Sequence, residues 1–236
     1  MAPQERPQPT ALPAIPALFL VAAAIQYVVL EAVTAAAWHH PAYNYAVNFI
    51  SDLGNPVPDD VFAGHLVNSP LHVVMDIAFV TQGVLFIAAA LLLRGRIPGR
   101  LRTTLLALAV LHGTGIILVG FFHEYSAAPL SAVLCHSLGA AAAILAANTA
   151  AIMVGAAGAR LSAATWYRTL SIALGIIGLA GFVLLEADRP LYYAAGGIPE
   201  RIAVYTIVVW QAVTGITILV SRARAGSDAV KAAQAA

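Results

Sequence analysis

Residues 125–159 read YSAAPLSAVLCHSLGAAAAILAANTAAIMVGAAGA, a stretch without a single Asp, Glu, Lys or Arg. A helix crossing a bilayer needs about 20 mostly apolar residues, and this stretch holds more than enough. Charge-free runs also cover 7–30, 77–93, 103–123, 169–185 and 202–221. They predict six transmembrane helices, at about 14–37, 70–93, 103–122, 134–155, 169–186 and 202–221. The Ala, Leu, Ile and Val blocks do not alternate as the ten-residue strands of a membrane barrel do. Backbone groups in lipid must bond internally, so the expected class is all-α.

Composition agrees. Charged residues are 10% of the 236-residue chain, against roughly 25% in soluble domains. Mean hydropathy is +0.84. Too few charges remain to cover a soluble surface. A net charge of +1 gives no case for nucleic acid as a partner. Cys135 is the only cysteine, which excludes an internal disulfide and a multi-cysteine metal site. The expected domain plan is a disordered tail over 1–12, a membrane domain over 13–221 and a polar tail over 222–236. Glu31 and the length of the first apolar stretch argue against a cleaved signal peptide.

Orientation follows from Arg and Lys. Ten of the twelve lie at one end of this topology, and only Arg189 and Arg201 at the other. Both termini are therefore expected in the cytoplasm, with the protein in the plasma membrane. Three loops, about 38–69, 123–133 and 187–201, are expected to face outward.

The polar residues gather at that outward end. Glu31, Asp52, Asp59, Asp60, Asp76, Glu124, Glu186, Asp188 and Glu200 all fall in the outer loops or outer span halves. So do all the histidines except His112, which falls near mid-span. Ionisable groups inside a bilayer are costly and normally face the bundle interior. Tyr27, Glu31, Thr34 and Trp38 share one helical face, and Ser69, His72 and Asp76 another. Glu31, His72, Asp76, His112 and His136 are accordingly expected to converge in one outward-opening pocket. A divalent metal held by His72, Asp76, His112 and His136 is one option, and acid–base catalysis another. Mutual satisfaction of such groups in helix packing is the plainer alternative. His39, His40, His65, Asp59 and Asp60 are expected to be solvated. Trp38, Tyr43, Tyr45, Tyr125, Tyr192, Tyr193 and Tyr205 are read as an outer aromatic belt, with Trp166 and Tyr167 at the inner interface.

The first outer loop is long and patterned. Asn48, Ser51 and Asp52 offer hydrogen bonds, while Val47, Phe49, Ile50 and Leu53 form an apolar set. A short interfacial helix over about 44–53 is expected, closed by a left-handed Gly54. Further on, Glu200 and Arg201 are adjacent, so they do not face each other on a helix. Arg201 is expected to pair with Asp52 or Asp76, and Glu200 to favour the positive helix start.

Phe49-Ile50-Ser51-Asp52-Leu53-Gly54, after Tyr43 and Asn44, resembles the Ser-Asp/Glu-Leu-Gly motif of a prokaryotic six-helix membrane family, domain of unknown function 998. Gly113 to Phe122 is similar to its Gly-rich third helix, and His136-Ser137-Leu138-Gly139-Ala140 to the start of its fourth. Gly197-Ile198-Pro199-Glu200-Arg201, with Trp210, resembles the opening of its sixth. Where that family often carries Pro-Xaa-Asp after helix three, this chain has Phe122-His123-Glu124. The resemblance implies a polar outer site built around Ser51, Asp52, His136, Glu200 and Arg201.

These readings give two sets of candidates. Glu31, Ser51, Asp52, Asp76, His112 and His136 are candidate catalytic groups. Asn48, His72, Glu200 and Arg201 are candidate ligand contacts. An enzyme acting on a lipid or isoprenoid-type substrate leads. A binder or transporter of a lipid or amphipathic small molecule follows, and then a purely structural membrane protein. No internal inverted repeat supports transport, and neither G-x-S-x-G nor H-E-x-x-H occurs.

Overall fold

The computed structural model describes residues 13–234. The expected tail over 1–12 lies outside the described residues. Helices α1 (Ala14–Ala37), α2 (His72–Leu93), α3 (Gly99–Phe121), α4 (Leu130–Ala157), α5 (Thr165–Ala187) and α7 (Gly197–Gln234) are long and apolar. All six are long and apolar enough to cross a membrane, and the chain is a multi-pass membrane protein. Pro13, Pro98 and Pro129 precede α1, α3 and α4 in extended conformation. A proline there costs no helical hydrogen bond and fixes the chain direction.

The spans form a ring in chain order. Each packs against its successor, and α7 closes the ring on α1 while also touching α4. Small residues allow the close approaches. A Cβ on Gly115 would stand 2.4 Å from the Gly139 carbonyl oxygen, so α3 and α4 meet backbone to backbone. The outer faces are apolar and uncovered, with Ile25, Ile77, Val84, Val183 and Val209 all exposed. That is the surface lipid tails accept at no cost.

Six crossings place the start of α1 and the end of α7 at one end, here called the basic end, with the 94–98 and 158–164 connections. The other, polar end carries the 38–71 loop, the 122–129 connection and the short helix α6 (Arg189–Ala195). Asp188 caps α6 by accepting from Leu191 N at 3.0 Å.

The polar-end loop differs from the expected interfacial helix. Residues 45–48 form turns, and only a 3-10 turn over Ser51–Gly54 follows. Gly54 is not left-handed; the left-handed positions of this loop are Asp59, just before an antiparallel hairpin of β1 (Asp60–Phe62) and β2 (His65–Val67), and Ala63 and Gly64 in its turn. Side chains dictate this outcome. Asn48 accepts from Asn44 N at 2.9 Å and Asp52 from Phe49 N at 2.8 Å, in place of a continuous helical ladder. At the other end of the chain, α7 continues past residue 221 to Gln234, exposed over that stretch.

Candidate functional site

Helix α7 starts at Gly197, several residues before the expected apolar boundary, which puts Glu200 and Arg201 in its first turns. Arg201 is 8% exposed and points into the bundle. Its Nη2 donates to Glu31 Oε1 at 3.1 Å and to the Tyr43 hydroxyl. Its Nη1 donates to the carbonyls of Tyr45 and Asn48 at 2.8 Å and of Gly197 at 3.1 Å. Glu31, 1% exposed, also accepts from the Tyr205 hydroxyl at 2.9 Å. A buried charge pair is sustained only with such additional hydrogen bonds. The expected partners of Arg201, Asp52 and Asp76, are both engaged elsewhere.

Asp52 is buried under the loop, and its Oδ2 lies 2.8 Å from His65 Nε2. Burial pulls the His65 pKa down, but the hydrogen bond and charge of Asp52 outweigh it, and the net shift is upward. Asp60 is buried too, accepting from Ser126 N at 3.0 Å and Asn55 Nδ2 at 3.1 Å. Burial raises its pKa, yet these donors reverse the shift and hold it below the usual value. His65 and Asp60 are therefore structural contacts rather than solvated loop residues. His39 and His40 are exposed, as expected of solvated loop residues.

Asp76 pairs with His123 at 3.0 Å. His72 is half-buried at the start of α2. His112 Nδ1 lies 2.9 Å from the Ala143 carbonyl, and His136 Nδ1 2.6 Å from that of Phe122. Among the described residues, no three His, Cys, Asp or Glu side chains gather as metal ligands. The expected single pocket of Glu31, His72, Asp76, His112 and His136 is thus divided. Each of Glu31, Asp76, His112 and His136 is drawn to its own partner, because an isolated polar group at that depth is costly.

A different pocket exists at the polar end. A cavity of about 260 Å³ has an apolar floor of Tyr27, Phe79, Ile116, Val119, Phe182 and Val204. Its rim carries Ser51, Glu124, His136, Ser137, Glu186, Arg189, Tyr192 and Glu200. From the candidate set, Ser51, His136 and Glu200 meet here; Asn48, Asp52 and Arg201 lie in the adjoining loop contacts. Glu200 Oε2 accepts from Ile50 N at 2.5 Å, which ties the loop to the cavity wall. Ser137 donates to Glu124, and His136 Nε2 is 4.0 Å from the second oxygen of Glu124. Burial, followed by the charges of Glu124, Asp52 and Glu200, pushes the Tyr192 hydroxyl up to about 12. The three acids add to the effect of burial there, and Arg189 opposes them.

A family model, protein of unknown function (DUF998), matches residues 20–217. The chain belongs to this family. No curated protein and no solved structure matches it.

In this DUF998 chain, the sequence reading missed several site residues. Tyr43 and Tyr205 looked like belt aromatics, yet both hydrogen-bond into the Glu31–Arg201 cluster. Trp38 is 2% exposed and packs on Tyr43 with ring centroids 5.1 Å apart. Glu124, Ser137, Glu186 and Arg189 come from the 122–129 connection, α4, the end of α5 and α6, so no helical spacing joins them in sequence.

Proposed function

We propose that this protein takes the head group of an amphipathic, membrane-derived molecule into the cavity at its polar end. That end faces outward from the plasma membrane, and both termini are cytoplasmic. The ten-to-two division of Arg and Lys supports the orientation. The observation that carries the reading is the cavity itself. Its floor of Phe79, Ile116, Val119 and Phe182 suits an apolar body, and its rim of ionisable groups suits a polar head. Glu124 and Glu186 outnumber Arg189, which favours an amine- or hydroxyl-bearing head over a phosphate.

One arrangement favours chemistry on the bound head group as a second reading. If His136 Nδ1 carries the proton it donates to Phe122, then Nε2 is a free base facing Glu124. The substrate would be a lipid or isoprenoid-type molecule, with His136 as base, oriented by the Phe122 carbonyl, and Glu124 stabilising the imidazolium once Nε2 has taken the proton.

The test uses the purified full chain in nanodiscs, with photoactivatable long-chain alkyl probes. One carries an ammonium head and another a phosphate. Preferential crosslinking of the ammonium probe near Ala140, reduced in Glu124→Gln, is expected. Equal labelling of both probes, or no change in the variant, overturns the reading.

A further inference from the structure

A second cavity, of about 390 Å³, opens between the same helices at the basic end. Its innermost residues are Leu20, Phe86, Ala109, Ala150 and Trp210, with Gln211 beside them. The two cavities stack along one axis. Moving down five of the six spans, all but α5, the floor of the first gives way to the roof of the second after six or seven residues. The pairs are Tyr27 and Leu20, Phe79 and Phe86, Ile116 and Ala109, Ile144 and Ala150, and Val204 and Trp210. At about 1.5 Å per residue, the wall between them is only about 9–10 Å thick.

That wall is not purely apolar. Gln82 and Gln211 hydrogen-bond reciprocally across it at 2.9 and 3.2 Å. Asn148 donates to the Ile144 and Ala203 carbonyls and accepts from Thr206. His112 is the exception. It is 2% exposed, its Nδ1 faces the Ala143 carbonyl, and its Nε2 is buried with no partner among the described residues. It lies three residues from Ala109 and four from Ile116, about 4.5 and 6 Å from the two cavities along the axis. Its ring rests edge-on against Phe86, the roof of the lower cavity, with centroids 4.5 Å apart. A buried ionisable group with a spare lone pair, midway between two openings, has the placement of a proton relay.

We infer that the bundle conducts protons between its two cavities through His112. Water advancing from the carboxylate-rimmed cavity across those few ångströms delivers a proton to Nε2 and gives an imidazolium, while Nδ1–H stays on the Ala143 carbonyl. The same Nε2–H then passes to water in the basic-end cavity and restores the neutral ring. No other bond changes and no electrons move. The inference uses the polar-end cavity but not the identity of what binds there.

Full-length protein is placed in liposomes that enclose a pH-sensitive dye, and a potassium gradient with valinomycin drives protons. Wild type should change the internal pH faster than protein-free vesicles. His112→Asn keeps an N–H for the Ala143 carbonyl but has no relaying base, and it should fall to the protein-free rate. A wild type no faster than empty vesicles, or a His112→Asn variant as fast as wild type, overturns the inference. Ala90→Phe, which fills the lower cavity one turn from Phe86 and leaves the His112 side chain in place, supplies the second test should His112→Asn not fold. It should also remove the flux, and undiminished flux in it refutes the path. Ammonium-probe crosslinking near Ala140 that persists in His112→Asn while its flux is lost separates this inference from the ligand reading.

Discussion

Arg201 on the last membrane helix holds Glu31 on the first at 3.1 Å, and so joins the two ends of the ring through a buried ion pair. Breaking one side of such a pair leaves an uncompensated charge and typically costs about 3–5 kcal/mol. Arg201→Met and Glu31→Leu are each expected to lower the thermal unfolding midpoint in detergent sharply. The double variant should lose less than the sum of the two. Strict additivity in that cycle would show that the pair is not coupled.

The His65–Asp52 contact carries a pH signature. The folded pKa of His65 is raised above its ordinary value. Its contribution to stability is full below the unfolded pKa, about 6.5, and is lost as pH rises through the folded value. Unfolding midpoints measured from mildly acidic to mildly alkaline pH should show this loss. His65→Ala should flatten that part of the profile. A variant profile parallel to wild type would remove His65 as its source.

The α3–α4 crossing leaves no space for a side chain at Gly115, whose added Cβ would meet the Gly139 carbonyl at 2.4 Å. Overpacking of this kind costs about 1–3 kcal/mol, and more where backbone must move. Gly115→Leu should therefore reduce the folded fraction in size-exclusion chromatography. Gly95→Leu, with nothing within 4 Å of its added Cβ, is the control and should behave as wild type.

Sidedness is open to direct labelling. With Cys135 replaced by Ala, a membrane-impermeant maleimide added to intact cells should modify Ala63→Cys in the hairpin turn and spare Gly95→Cys at the basic end. The reverse pattern would invert the proposed orientation.

The spans were legible because lipid exposure enforces long charge-free runs, and nothing at their outer faces competes with that signal. The polar end was not legible in the same way. Glu31 and Arg201 both stood out as ionisable groups near the bilayer, but their pairing depends on ring closure between residues 170 positions apart. Helical spacing reports neighbours on one helix and is silent about that closure. Charge alone matched Arg201 with the nearby acids Asp52 and Asp76. The structure instead lets hairpin and helix-end histidines serve those acids, His65 for Asp52 and His123 for Asp76. The loop misled for a related reason. Its apolar residues looked like a helical face, yet Phe49, Ile50 and Leu53 are buried by packing over the bundle mouth in irregular backbone.

Ring closure through the first and last helices also imposes an order on biosynthesis. Translation delivers Glu31 to the membrane with the first span, whereas Arg201 emerges only when the sixth begins. Until then the carboxylate lacks its counter-ion, and the carbonyls of Tyr45 and Asn48 lack the donor that the same guanidinium later supplies. A chain halted before Gly197 thus presents an unpaired acid in its earliest span, a mark of incompleteness. Arrival of a single side chain erases that mark and fastens the nascent loop in the same event.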